Sequence, residues 1–282
     1  TAVAGVQTIN IAPNTQTKNI PISILTDSIS EDNETITVTL TSAINATIAR
    51  AAGTLTIQDD DNDPSIVIND FTANSESQTT ITIPVSLTAP SSKTITADFE
   101  TKSDNATAGS DFVYETGTIS FLPGETQTSI VLDLIDDSIK EPTEQFTLDL
   151  SNVSFAILPS SSPIISIPDD DQIAISVSND LTVDNETTAL DITVSLSNAS
   201  NDNVTVDYVA NNISASLGTD FTLGGSGTLT FAPNITSQTI RVTPIDDTSN
   251  EGPETFELAL SNATGGATIA NPSNTVTIID DD

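Results

Sequence analysis

Carboxylates recur along this chain in three sets that keep one internal order. The fullest set has Glu76 and Asp111 upstream, then Asp136 and Asp137 followed by Glu141 and Glu144, then Asp169, Asp170 and Asp171. A second holds Glu186, Asp220, Asp246, Asp247, Glu251, Glu254, Asp280, Asp281 and Asp282 in the same order. A shorter one retains Asp27, Glu31, Glu34, Asp59, Asp60 and Asp61. Like charges about 4 Å apart cost about 1 kcal/mol per pair even at the dielectric of water, so acids gathered this closely need a neutralising partner. Calcium suits the task, because it takes six to eight oxygens, accepts bidentate carboxylates and tolerates irregular geometry, whereas magnesium demands tighter octahedra and keeps its water. By charge alone, about four calcium ions are the ceiling for one full set. A loop carbonyl, of Ile139 or Ser249, could complete a shell.

The rest of the composition narrows the chemistry to this. Lys plus Arg number 6 against 40 Asp plus Glu, giving a formal charge of −34, and His, Cys, Met and Trp are absent. Six scattered cations cannot replace phosphate counterions, so nucleic acid is excluded as a partner, and an anionic membrane surface would repel the chain. Without His or Cys there is no Ser-His-Asp or Cys-His catalysis, no zinc site of the usual ligands and no disulfide framework. No apolar run approaches 18 residues, and Thr1 is not followed by a basic and then apolar leader. The expectation is a soluble piece of a longer chain.

The elements that position the acids follow from a repeat. Pro13, Pro123 and Pro233 are 110 apart, and the same offset links Asp27, Asp137 and Asp247, and Glu34, Glu144 and Glu254. A triple Asp closes each unit, so the expected units are a partial one at 1–61 and complete ones at 62–171 and 172–282. Almost no linker separates them, and neighbours should abut. Within a unit the apolar residues alternate, as in Ile81, Ile83, Val85 and Leu87, or Phe146, Leu148 and Leu150. Period two over short runs bounded by Asn, Asp, Gly, Pro and Ser predicts half-buried antiparallel strands. About seven such strands in each complete unit predict an all-β fold of tandem Greek-key β-sandwiches, immunoglobulin-like and arranged end to end, with the acids on loops at one end.

The runs LIDDSIKEPTEQFTLDLSN and PIDDTSNEGPETFELALSN, with GSDFVYETGTISFLPGETQTSIVL before the first and the closing triple Asp, resemble the Calx-β motif. That resemblance covers almost the whole chain, as one partial and two complete modules. It implies sandwiches that bind a calcium cluster at one end. Carried over residue by residue, it implies ligands Glu76, Asp111, Asp136, Asp137, the Ile139 carbonyl, Glu141, Glu144 and Asp169 to Asp171 in the second module. In the third it implies Glu186, Asp220, Asp246, Asp247, the Ser249 carbonyl, Glu251, Glu254 and Asp280 to Asp282. The first module departs from the pattern: Thr26 replaces the first Asp of the pair, and Asp27, Glu31, Glu34 and Asp59 to Asp61 predict fewer or weaker ions.

Other readings carry less. An EF-hand at Asp59 fails because its sixth position is Pro64 rather than Gly. A cadherin linker shares DDDND but lacks the other cadherin ligand motifs. A glycosidase could use paired acids such as Glu141 and Glu144, yet 9 Phe and 2 Tyr, mostly at core positions, offer no sugar platform. No enzymatic activity is expected. Ten N-x-Ser/Thr sequons, Asn33, Asn45, Asn198 and Asn262 among them, weigh little in a chain so rich in Ser, Thr and Asn. The first functional expectation is a calcium-binding structural and adhesive repeat region of a long extracellular or cell-surface protein, bacterial in origin. Its modules would be stiffened into a rod or filament, with self-association by strand addition and an unidentified adhesion ligand. The alternative is calcium-sensing regulatory modules of a transporter or receptor.

Overall fold

The computed structural model describes residues 5–282, and among them every regular element is a β-strand. In unit two, one sheet carries three strands in the order Ile66–Ile68, Thr80–Leu87, Gln127–Asp133. The facing sheet carries five, in the order Phe71–Thr72, Ile164–Ile167, Glu144–Ser154, Ile95–Ser103, Thr116–Phe121. The first edge of the unit therefore changes sheets. Ile66–Ile68 pairs antiparallel with Thr80–Leu87, and after two residues Phe71–Thr72 pairs parallel with Ile164–Ile167. Unit three keeps the same arrangement in two five-stranded sheets, with Leu181–Val183 parallel to Ser273–Ile278.

The alternation read from the sequence is the alternation of burial. Ile81, Ile83, Val85 and Leu87 point inward while Thr80, Thr82 and Pro84 face out. Pro84 is tolerated in this strand for a local reason. Thr88 donates its N–H toward Ser65 and Leu87 toward Thr126, so the residues of even number face the Ile66–Ile68 strand. That strand ends opposite Val85, and the N–H that Pro84 lacks has no partner to lose.

Each complete unit closes its own core, with no buried residue shared between them. Stacked phenylalanines sit beneath the acidic end of each, Phe112 on Phe146 at 4.1 Å and Phe221 on Phe256 at 3.9 Å. Unit one differs. Among the described residues its only ladder is Glu34–Thr39 against Ala52–Ile57. Val6 and Leu25 are more than nine-tenths exposed, and no second sheet among the described residues covers their apolar stripe. The expected half-module is thus an open hairpin preceded by extended chain, because a period-two stripe forms a sandwich only where a facing sheet is present.

Candidate metal centre

In unit two the acids ride on four connections that meet at one end of the sandwich. Asp136 to Glu144 link Gln127–Asp133 to Glu144–Ser154, Asp169 to Asp171 follow Ile164–Ile167, Glu76 follows Phe71–Thr72, and Asp111 follows Ile95–Ser103. The parallel pairing of Phe71–Thr72 with Ile164–Ile167 continues outward as Ala73 N–H to Ser166 O and Glu76 N–H to Pro168 O, each 2.9 Å. This register delivers Glu76 against the triple Asp.

Local hydrogen bonds shape the loops. Asp137 Oδ1 accepts the N–H of Ile139 at 2.6 Å, which closes an Asx turn. Glu141 donates its N–H to Asp169 Oδ1 at 3.1 Å, tying the loop to the tail. The same two bonds recur in unit three, as Ser249 to Asp247 at 2.7 Å and Glu251 to Asp280 at 2.6 Å. They recur again in unit one, as Ile29 to Asp27 at 2.9 Å and Glu31 to Asp59 at 3.1 Å. The loop geometry is thus common to all three units even where the sandwich is not.

Ligand oxygens converge in unit two. Within 4.8 Å of one another lie single oxygens of Glu76, Asp169 and Asp171, of Glu76, Asp136 and Asp170, and of Asp111, Glu141 and Glu144. Eight of the sequence candidates are thereby brought together. Asp137 stands beside them, raising Glu76, Glu141, Glu144 and Asp171 by its charge, and its Oδ1 serves the Asx turn. Ile139 enters through its N–H. Among the described residues, all the sets that meet this spacing belong to unit two; the acids of unit three and unit one share the loops but form no set of three at this spacing.

The electrostatics are those of an anionic cup that Lys140 compensates only in part. Burial pushes Glu76 up to about 7, reinforced by the charges of Asp171, Asp137, Glu141 and Asp170. Glu144 is pushed to about 7 by burial, by its hydrogen bond with Asp111 and by the charges of Asp111, Glu141 and Asp137. Burial also raises Glu141 and Asp171. In unit three Glu186, Glu254 and Asp282 rise, with burial the largest cause, and in unit one Glu31 and Asp61 do so for the same reason.

Two oxygens test whether a metal fits. Glu76 is 5% exposed, and its Oε1 has no hydrogen-bond partner. Asp171 Oδ2 is likewise buried with no donor from another residue, its hydrogen-bonding neighbour being the Glu76 carboxyl itself. A buried carboxylate oxygen without a donor is costly, and both belong to the set that converges with Asp169. An all-oxygen, anionic, irregular donor set of this kind fits a hard divalent cation of calcium's size.

Two side chains at the centre were not singled out from the sequence. Lys140 Nζ pairs with the nearly buried Asp169 carboxylate and also donates to Glu141 O at 3.2 Å. Ser77 Oγ donates to Asp170 Oδ2 at 2.8 Å. Lys140 was findable: it is one of six cations, and it stands where the repeat has Ser30 and Asn250.

The model of the Calx-beta domain matches residues 3–61, 59–164 and 168–282. Sodium/calcium exchanger 1 of Bos taurus is 43% identical over 72 residues, 26% of this chain and 7% of the exchanger. Adhesion G-protein coupled receptor V1 of Danio rerio is 31% identical over 195 residues, 60% of this chain and 3% of the receptor. Human sodium/calcium exchanger 3 is 28% identical over 193 residues, 60% of this chain and 21% of the exchanger. The chain therefore spans a small part of these relatives. A crystal structure of CBD12 from CALX1.2 superposes on 76% of this chain and 99% of its own at 18% identity, with a TM-score of 0.37.

Proposed function

The chain belongs to the Calx-beta domain family, whose metal is calcium, and on that premise we propose that it is a set of calcium-sensing regulatory modules within a larger protein. The modules we assign are 1–61, 62–171 and 172–282. Unit two is the principal calcium centre, held by Glu76, Asp111, Asp136, Asp137, Glu141, Glu144 and Asp169 to Asp171. The matching acids of unit three form a second and looser centre, and those of unit one a third. The observation that carries this reading is the buried pair of oxygens without an outside donor, Glu76 Oε1 and Asp171 Oδ2, turned toward the same acidic set. Calcium would supply the positive charge that lets these groups ionise together. The role of the chain is to place the oxygens, exclude water from Glu76 and connect the loops to the neighbouring module.

The sensing reading is favoured over the adhesive rod by the identity to exchangers at 43% and 28%. One observation supports the second reading, a calcium-stiffened repeat array of a cell-surface protein: an adhesion receptor of Danio rerio is among the relatives, 31% identical over 195 residues. Calorimetric titration of the chelated chain with calcium separates the two. A sensor saturates near micromolar calcium, and an extracellular spacer at about 10⁻⁴ to 10⁻³ M. Absence of calcium heat at any concentration, with unchanged thermal stability in chelator, rejects both.

A further inference from the structure

The calcium loop of one unit is bonded to the next unit at the same position twice. In the second junction Lys140 N–H donates to Ala199 O and Lys140 O accepts the N–H of Asn201, both at 2.9 Å, forming a short parallel bridge around Ser200. In the first junction Ser30 O accepts the N–H of Ser92 at 3.0 Å and the hydroxyl of Ser91 at 3.0 Å. Ser91 and Ser200 are both buried, which is unusual for serines on a loop between strands and shows that the bridge excludes water. The junctions differ in the side chains that flank this bridge, and one difference reaches the acidic set. In the second, the Asn201 amide crosses from unit three and donates to Glu141 Oε1 of unit two. In the first, Ser92 occupies that place and its hydroxyl turns to Ser30 O at 3.3 Å, away from Glu31.

We propose that Asn201 is a positioning residue for the calcium centre of unit two, supplied by unit three, so that ion binding at unit two and docking of unit three are coupled. This rests on the calcium reading above. Glu141 is placed from both sides: its backbone N–H is held by Asp169 within unit two, and its carboxylate is held by Asn201 from across the junction. The oxygen that Asn201 fixes belongs to the residue that joins Asp111 and Glu144 in one of the convergent sets. By reciprocity, whatever Asn201 contributes to the ion's affinity the ion returns to the junction. The first junction has the backbone bridge and an ion pair from Lys93 to Asp32 at 3.4 Å, but no side chain of unit two on Glu31, so it is held whether or not unit one carries an ion.

The test uses the full chain and the variants Asn201→Ala and Asn201→Asp, with calcium calorimetry and thermal unfolding in chelator and in saturating calcium. Asn201→Ala is expected to weaken the tightest calcium step about five- to tenfold, the loss of one hydrogen bond to a charged group at a partly exposed site, with the number of ions unchanged. Asn201→Asp places a carboxylate against Glu141. It should lower the melting temperature in chelator and recover it in saturating calcium, where the new oxygen faces a cation. A merely structural latch predicts equal losses for both variants with and without calcium and an unchanged affinity, and that result overturns the proposal. Wild-type chain that takes up no calcium overturns the calcium reading itself; calcium uptake that Asn201→Ala leaves unaltered overturns this inference alone.

Discussion

Glu141 donates its backbone N–H to Asp169 Oδ1 at 3.1 Å, and this single bond closes the acidic loop of unit two onto the tail that ends the unit. Its counterparts join Glu31 to Asp59 and Glu251 to Asp280. The carboxylate of Asp169 does two further things: it pairs with Lys140, and it offers an oxygen to the set with Glu76 and Asp171. The first Asp of each closing triple is therefore a structural acceptor before it is a ligand, and the loop holds its form before any ion arrives.

Replacing that acceptor should destabilise the ion-free protein. Asp169→Ala strands the Glu141 N–H and the Lys140 ammonium together, and a loss of about 1–3 kcal/mol is expected for unit two. Urea unfolding in chelator measures it. Asp280→Ala, whose site is more open, should cost unit three less, and equal costs at the two positions would show that the Lys140 pair adds nothing.

Lys140 is expected to oppose the ions. Its ammonium sits on a carboxylate that the metal also needs, in a cup otherwise made of acids. Lys140→Asn, which installs the residue unit three has at Asn250, removes that internal counter-charge. In chelator the variant should melt lower, by an amount worth about 1 kcal/mol for a pair whose lysine end is partly exposed. In calcium it should gain affinity at unit two. Calorimetry that shows weaker calcium binding in Lys140→Asn would assign the lysine a supporting role instead.

Much of this was legible in the sequence, and the illegible part has a common cause. The 110-residue offset from Asp27 to Asp137 to Asp247 announced the three loops, and the period-two stripes announced the strands that carry them, because both depend on residues near one another in the chain. The resemblance of the motif to a known family implied a ligand set. Sequence position alone could not separate Glu76 from Glu186. Both hold one place in the repeat, yet Glu76 is buried with an unpartnered oxygen, and Glu186 lies outside the convergent sets. The same holds for Asn201, whose contact with Glu141 is made only when two units are docked. In unit one the described residues form a ladder only between Glu34–Thr39 and Ala52–Ile57, and an alternating stripe does not state whether a facing sheet is there.

Acidity should link to the ion in a defined direction. Glu76 and Glu144 stand near 7 in the ion-free protein, above an ordinary value of 4.5, because burial and neighbouring acids disfavour the charged form. Between about pH 4.5 and 7 the folded state therefore binds more protons than the unfolded one, and stability falls as pH rises through that window. Ion-free chain should melt higher at pH 5 than at pH 7.5. Calcium reverses the preference by favouring the carboxylates, so uptake should release protons at pH 6, seen as a dependence of the calorimetric heat on the buffer's ionisation enthalpy. No such dependence would mean that these two glutamates are not at the ion.

A last expectation concerns the sandwich apart from its metal. Asp98 accepts from the Thr118 hydroxyl at 2.7 Å and the Asn152 amide at 2.9 Å, and Asp207 accepts from Thr228 at 2.7 Å and Asn262 at 3.0 Å. These bonds, the threonine's first, hold both aspartates below their usual value. Each clamp spans three strands' worth of sheet from a residue whose backbone is left-handed, Asn152 at φ 47° and Asn262 at φ 51°. Asparagine serves twice there, tolerating the conformation and reaching the aspartate. Asn262→Gly should keep the turn and lose the bond, whereas Asn262→Ala should lose both and be less stable by about a further 1 kcal/mol. Because the folded values lie below 3.8, the contribution of the aspartates is present at neutral pH and disappears as pH falls through the folded value. The ranking of the two variants in urea, unchanged by calcium or chelator, checks that this clamp and the metal centre stabilise the module independently; an inverted ranking would show that the left-handed turn is not what the asparagine is there to support.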